Sequence, residues 1–482
     1  SARRSHPLGG HNRGMTDPAR SGVSVRVVTL GCAKNDVDSE EIAGVLLAAG
    51  YSIGGEPSAD IEVINTCGFL EAAKEESVGA IRDAVRRKKA GRLQRVIVAG
   101  CLSQRLGAEL IQLAPGADAY VGVGQMSRFA DIVQGTLKGG QPQLEVAPPQ
   151  HLWADVGTRA RSGAPASAYL KLSEGCSHRC TFCTIPSFRG PHKSKPLERI
   201  VEEARLLVRR GALELNLIAQ DVTQYGYDLY GEFTLPRLLK ELNEVEGLKW
   251  VRLLYFYPNR LTDDVIEAMA TLPKVLPYID VPLQHVDKEI LRAMKRPWDG
   301  ERYLRLFEKV RKAIPSVAIR TTFIVGFPGE GERHFQSLLD FLKAAELDRV
   351  GAFQFSPEPG TPAHVLPDQV PSAIKQQRFD RLMTLQQSIS HRINASWMGK
   401  PLDVLIESHA DGWSVGRSFW DAPEIDGLVF VEGELPLGQF AQVQVVAAEP
   451  YDLYARASLP SRSRRTRTSL SPLRVATPAE PK

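Results

Sequence analysis

The six cysteines of this 482-residue chain fall into two sets of three. Cys176, Cys180 and Cys183 are packed into one short loop, CSHRCTFC. Cys32, Cys67 and Cys101 lie far apart, yet each closes a β-branched run: VVTLGC, EVINTC and VIVAGC. Soft thiolates select zinc or iron–sulfur clusters. A structural zinc site takes four protein ligands, commonly as paired CxxC knuckles. The loop supplies three, with no fourth cysteine nearby and His178 as a minor candidate. Four-iron clusters usually take four cysteines, so three leave one iron open to another molecule, which is what catalysis needs. The other reading of the dispersed set is three buried structural cysteines at strand ends. Their equivalent placement argues against coincidence. So few cysteines in so long a chain exclude a disulfide scaffold.

The elements around these residues read as three folded units. Residues 23–140 alternate strands with amphipathic helices, including DVDSEEIAGVLLAAG and stretches at 71–89 and 102–113. Continuous apolar strands between helices predict a doubly wound parallel α/β domain. Ligands bind such sheets at strand C-termini, so the three dispersed thiols should converge there. Residues 141–165 are Pro/Gly/Ala-rich and read as a linker. Residues 166–397 carry six further βα units, too few for an eight-fold barrel, and predict an open six-stranded (β/α) partial TIM barrel. The CSHRCTFC loop follows its first strand, at the face where barrel active sites lie. After a helix at about 372–397, residues 398–455 hold short strands spaced by turn residues, predicting a small OB-like β-barrel. Residues 1–22 and 456–482 are low-complexity Gly/Ser/Arg/Pro segments expected to be disordered, with Met15 a candidate native start. No apolar run approaches the roughly 18 residues of a membrane span, and no secretory signal is evident.

A CxxxCxxC loop opening a partial barrel resembles the radical S-adenosylmethionine (SAM) superfamily, with Phe182 at the aromatic position before the third cysteine. Three strand-end cysteines before the barrel and a small β unit after it resemble the methylthiotransferase subfamily, whose C-terminal unit is the TRAM domain. The resemblance covers roughly residues 25–455 and is carried by NTCGF, SEGCSHRCTFCTIP, GFPGE and SPEPGTPA. It implies that Cys176, Cys180 and Cys183 ligate the [4Fe-4S] cluster whose open iron chelates SAM. Electron transfer into the sulfonium then releases a 5′-deoxyadenosyl radical. It implies that Cys32, Cys67 and Cys101 ligate a second [4Fe-4S] cluster that carries the sulfur to be transferred. SAM is used twice, once to methylate that sulfur and once to make the radical. Gln220, Asp221, Gln284 and the turn at Gly326, Gly329 and Glu330 are candidate SAM contacts, with helix capping and tight turns as the alternative. Lys34 and Asn35, beside Cys32, are candidates for bonding a cluster or substrate, with surface exposure the alternative.

The best-known branches of the subfamily differ in substrate. One methylthiolates isopentenyladenosine in tRNA (MiaB type); the other methylthiolates the β-carbon of an aspartate in small-subunit ribosomal protein uS12. TLGCAKNDVDSE, YIDVPLQH with Asp280 and His285, and GRSFWDAPEIDG look like the ribosomal-protein branch. Gly331 and Trp420 depart from its usual pattern. Charge points the same way. The chain's net +4 hides ten acids against two bases between Met398 and Tyr454, a local −8. A barrel that gripped RNA phosphates should be basic. An acidic one suits a basic protein such as uS12, although a generic solvated surface would look alike. Trp413, Phe419 and Trp420 are either contact anchors for that partner or small-barrel core. The expectation is therefore a cytoplasmic enzyme with no membrane or direct nucleic-acid binding, served by a donor such as flavodoxin or ferredoxin. A non-catalytic iron–sulfur or RNA-binding scaffold is the competing class, opposed by the open three-cysteine motif.

Overall fold

The computed structural model describes residues 22–54, 59–148, 153, 155–161, 163 and 166–458. The expected leader, except Gly22, and the expected tail from residue 459 lie outside these residues, whereas Arg456 and Ala457, expected in the disordered tail, are the end of the last strand, paired with Gln444 and Val443. The N-terminal sheet contains β1 (Ser24–Thr29), β2 (Ser52–Ile53), β3 (Ile61–Thr66), β4 (Arg95–Gly100), β5 (Ala119–Val121) and β6 (Gln143–Glu145). It is wholly parallel, in the order β2-β1-β3-β4-β5-β6. The helices are α1 (Ala33–Ala48), α2 (Glu71–Lys89), α3 (Cys101–Leu106), α4 (Ala108–Leu113) and α5 (Phe129–Leu137). Side chains alternate along the strands. Val63, Ile97 and Ala99 pack with Ile42, Leu46 and Phe129 of α1 and α5. Ile64, Val96 and Val98 pack with Ile81, Val85 and Leu110 of α2 and α4. Burial on both faces is why these strands are apolar throughout.

Two details differ from the sequence reading. The stretch at 102–113 is two helices, because Gly107 adopts φ +53° and breaks the first. The 141–165 stretch also supplies structure. It gives β6, and past Val156–Thr158 it gives Arg159, which is buried between Glu40 of α1 and Glu203 at 2.6 and 2.8 Å. β6 is too short and polar to show periodicity.

The second sheet comprises β7 (Ser167–Lys171), β10 (Glu214–Ile218), β11 (Trp250–Leu253), β12 (Val275–Asp280), β13 (Ala318–Val325) and β14 (Arg349–Gln354), all parallel. It is open, in the order β14-β13-β12-β11-β10-β7. The short strands β8 (Ser173–Glu174) and β9 (Lys193–Ser194) flank the cysteine loop. Within that loop region lies α6 (Ile185–Arg189), followed by α7 (Leu197–Arg209). Leu215, Leu217, Val251, Leu253, Ile279 and Phe323 face the helices and form the largest core. Their neighbours along the same strands, Glu214, Arg252, Tyr278, Asp280 and Arg320, face the concave side instead.

That concave side is filled by the other two units. The C-terminal barrel is closed: β15 (Pro401–Ala410), β16 (Trp413–Arg417), β17 (Val429–Glu432), β18 (Phe440–Ala448) and β19 (Leu453–Ala457), ordered β15-β16-β17-β19-β18. The loop between β16 and β17 enters the open barrel. Phe419, Trp420 and Ala422 pack with Leu254, Leu276 and Tyr278, joined from the opposite side by Ala33 and Val37 of α1. Phe419 and Trp420 are thus inter-unit core rather than exposed anchors. Glu214 accepts from Arg417 Nη2 at 2.6 Å and from Arg252 Nε at 2.9 Å. Asp421 pairs with Arg349 at 2.8 Å, and Asp426 with Arg320 at 3.2 Å. Among the described residues, no helix is long and apolar enough to cross a membrane.

Candidate active site

The CxxxCxxC loop leaves β8 through Gly175, whose φ of +75° puts a would-be Cβ 2.2 Å from the Pro191 carbonyl oxygen. Only glycine fits there. Cys176 takes a backbone N–H from His178, and Cys183 takes one from Ile185. The Arg296 guanidinium bonds Cys180 and lies 4.2 Å from the Tyr257 ring centroid. His178 stacks on that same ring at 3.6 Å and sets its Nε2 2.7 Å from Asp221 Oδ2. Asp221 is 1% exposed and also receives Thr223 N–H at 2.9 Å. Asp221 thereby caps a short turn and fixes the residue between the first two cysteines. The His178 ring nitrogen is engaged by a carboxylate.

In the N-terminal sheet, Cys32 follows β1, Cys67 follows β3 and Cys101 opens α3 after β4. The β1/β3 boundary is where strand order reverses, the crevice in which open α/β sheets place ligands. Cys101 is buried, Cys67 half-buried and Cys32 exposed. Asn35 locks the crevice floor, donating to Leu30 O at 2.7 Å and Thr66 O at 3.1 Å. It is fully buried, and Lys34 is nearly so, with its ammonium over the Tyr255 ring. Neither is the exposed polar residue that was the alternative.

The two triads meet across the interface between sheet and barrel. Arg189 of α6 reaches Cys101 Sγ with Nη2 at 3.0 Å and Nε at 3.3 Å. Thr184, next to Cys183, donates to Phe69 O at 3.5 Å, two residues beyond Cys67. Glu358 of the SPEPGTPA segment accepts Glu71 N–H at 2.9 Å and pairs with Arg105 at 3.0 Å. It thus caps α2, satisfying one of the N–H groups a helix start leaves open. Arg189, Arg296, Tyr257 and Glu358 all escaped the sequence reading. Single arginines and acids carry no spacing signal, and their partners lie far away along the chain.

The candidate cofactor contacts cluster at the same strand ends. Gln220 donates to Glu174 at 2.9 Å, and its amide oxygen is buried without a protein partner. Gln284 holds φ +75°, a strained conformation for a non-glycine residue. Its backbone bridges the segment after β12 to β13, donating to Thr322 O at 2.8 Å and accepting from Ile324 N–H at 2.7 Å. Phe182 packs against Phe327, Phe355 and Met294. Gly326 and Gly329 both have positive φ in the turn after β13. Glu330 closes that turn on Gly326 N–H at 2.8 Å and pairs with Arg378 at 2.9 Å. Burial nevertheless pushes its carboxyl up to about 7. His285 is fully buried, accepts Asp287 N–H at Nδ1, and is pushed down to about 3 by burial, so it is neutral. Asp280 receives Arg320 at 2.9 Å and Tyr255 N–H at 3.0 Å.

The sequence of each unit matches a known family. The radical SAM superfamily matches residues 170–342, the uncharacterized protein family UPF0004 residues 24–122, and the TRAM domain residues 398–457. A ribosomal protein uS12 methylthiotransferase RimO of Moorella thermoacetica is 48% identical over 433 residues, spanning 90% of this chain and 98% of that protein. The chain belongs to the RimO family. A second RimO, from Desulforamulus reducens, is 44% identical over 436 residues, spanning 89% of this chain and 98% of that protein. The radical SAM methyltransferase TsrM from Kitasatospora setae, solved with tryptophan and a SAM analogue, shares the fold. Its TM-score is 0.54 at 16% identity, over 72% of this chain and 75% of that one.

A radical SAM enzyme of the RimO family uses SAM and iron–sulfur chemistry, and both triads have the donor set for it. All six thiols are free of disulfides. Burial pushes Cys101 and Cys183 up to about 12 and Cys176 up to about 11. Such thiols become thiolates only when a bound cation inverts the local electrostatics. The buried, unpartnered Gln220 oxygen adds an acceptor that the protein itself leaves unmet.

The auxiliary crevice also depends on one glycine. Gly100 has φ +95° and ψ −154°, and a Cβ there would stand 2.3 Å from Asn65 Oδ1 and 2.8 Å from Thr66 O. That backbone region is essentially glycine-only and costs another residue about 1–3 kcal/mol before any clash. Gly100→Ala is expected to destabilise the N-terminal unit by at least about that amount and to displace Cys101. Gly91→Ala, at φ +72° with nothing within 4 Å, should cost less. Thermal unfolding of the two variants checks this; equal shifts would refute the steric account.

Proposed function

We propose that this chain methylthiolates the β-carbon of an aspartate in ribosomal protein uS12, through two SAM-dependent steps. The reading assigns Cys176, Cys180 and Cys183 to a [4Fe-4S] cluster that binds SAM, and Cys32, Cys67 and Cys101 to a second [4Fe-4S] cluster. When bound, these groups supply the reductive cleavage of SAM, the hydrogen abstraction, and the sulfur that is methylated and transferred. The observation that carries the reading is the contact of both cysteine loops across one interface, through Arg189–Cys101 and Thr184–Phe69.

The chain's own residues orient and exclude. Asp221 and Tyr257 hold His178, so the loop between Cys176 and Cys180 is rigid before any ligand enters. Phe182 places an apolar wall behind the third cysteine. Gln220 offers its unmet amide oxygen to the ammonium or ribose of SAM, and Asp221 and Gln284 line the same strand ends. The Gly326–Gly329 turn presents backbone, while Glu330 keeps that turn closed from behind. Lys34, its ammonium over the Tyr255 ring, forms one side of the crevice beside Cys32.

The substrate is recognised through the acidic barrel. Glu407, Asp421, Asp426 and, at the surface, Glu432 are used on arginines. Asp403, Asp411, Glu434 and Glu449 remain exposed on the outside. That surface favours encounter with a basic protein and disfavours RNA phosphate. A low-potential carrier such as flavodoxin or ferredoxin supplies electrons. The reconstituted protein, given SAM and dithionite, is tested against a uS12 peptide and, separately, against tRNA. The expected mass spectrum shows a methylthio group on the peptide aspartate; a product on tRNA alone refutes the assignment.

A further inference from the structure

Arg189 stands just beyond Cys183, yet its side chain belongs to the other triad. It is 3% exposed and spends its guanidinium on four partners. Nη1 donates to Glu174 at 2.9 Å, and Nη2 donates to Asp38 at 2.9 Å and Asn35 Oδ1 at 2.8 Å. Nη2 and Nε together straddle Cys101 Sγ. Lys171 closes the figure by bonding both Asp38 and Glu174. The result is a buried ring of two cations and two anions, so the positive charge of Arg189 is balanced without the sulfur. Its N–H groups are therefore held on Cys101 by carboxylates that fix the planar fork.

We propose that Arg189 is a positioning residue for the auxiliary [4Fe-4S] cluster, its two N–H donors on Cys101 Sγ raising that cluster's reduction potential. This rests on the assignment of Cys32, Cys67 and Cys101 as cluster ligands. Hydrogen bonds to ligand sulfur draw charge from it and stabilise the more negative, reduced cluster. Arg189 ends α6, the short helix that directly follows the loop of the other triad. The potential of one cluster is thereby tied to the seating of the loop that holds its neighbour.

The test uses the full chain carrying C176A, C180A and C183A, so that only the auxiliary cluster can form. About four irons per chain are expected; no bound iron would overturn the two-cluster reading itself, and this proposal with it. With iron present, EPR-monitored redox titration compares Arg189, R189K and R189Q. R189Q should shift the reduction equilibrium about tenfold toward the oxidised state, 59 mV for one electron. R189K should fall between, since it keeps the charge and loses the fork. E358Q loosens the same interface away from the sulfur and should leave the potential in place. An unchanged potential in iron-replete R189Q overturns the proposal. Pulsed EPR on chain labelled with guanidino-¹⁵N arginine needs no Arg189 variant. Coupling of the reduced cluster to ¹⁵N is expected, and its absence overturns the proposal even if R189Q cannot hold iron.

Discussion

Replacing Cys183 with alanine should reduce 5′-deoxyadenosine formation from SAM and dithionite to background, whereas replacing Cys101 should leave it and remove the methylthio product. The two thiols have similar surroundings. Both are raised to about 12 by burial and both lie at one interface. They differ in their elements: Cys183 sits in the loop after the first strands of the open barrel, Cys101 at the C-terminal end of β4 in the other sheet. Loss of even an outer-shell partner of a metal ligand costs about 10–100-fold, so loss of a direct ligand should exceed about 100-fold. Liquid chromatography with mass spectrometry reads both products from one reaction. Equal loss of 5′-deoxyadenosine in the two variants would show that the triads do not divide the labour.

The second large effect is on stability. Glu214→Gln should destabilise the docking of the C-terminal barrel by about 3–5 kcal/mol. Glu214 is fully buried and receives Arg417, Arg252 and, at 2.9 Å, Ser167 Oγ. Removing its charge leaves the buried Arg252 without its carboxylate and Arg417 with Glu407 alone. Burial alone would raise its carboxyl; Arg417 and Arg252 outweigh that and hold it at about 2. Its folded value lies below its unfolded one, so the stabilisation is complete above about pH 4.5 and is lost as pH falls toward about 2. A depression of that size is worth about 3 kcal/mol. The first urea transition of the natural chain should therefore weaken through that window. Glu214→Gln should start lower and lose less. Parallel acid profiles for the two proteins would refute the assignment.

The parts of this molecule that were legible in the sequence are those under local rules. Three cysteines at fixed spacing in one loop, and three more at equivalent strand ends, were visible as two thiol sets before any fold was known, and the fold places the second set at the ends of β1, β3 and β4. Alternating apolar strands and amphipathic helices announced two parallel sheets and a small barrel. The concave side of the open barrel was not legible. Glu214, Arg252 and Arg320 sit every second residue among apolar neighbours, a pattern that reads as solvent exposure, yet partners more than a hundred positions away bury them. Arg159 sat in a stretch that composition marked as linker, and Arg189 in one that the cysteine motif had already claimed. In the sequence the acids of the C-terminal barrel count only as a local net charge of −8. Only geometry separates Asp421 and Asp426, which face inward, from Asp403 and Asp411, which face out. Trp420, an unusual residue for its place, is a wedge.

The loop between β16 and β17 has a bearing on how such enzymes can be recombined. A C-terminal barrel exchanged for one from a relative with a different substrate would carry its own outer surface but the wrong plug. Glu214, Arg252, Arg320 and Arg349 would face a void or a mismatched charge. The transferable piece is therefore the barrel together with these four host residues. Retargeting by domain exchange should succeed only where the graft and its socket travel as one cassette.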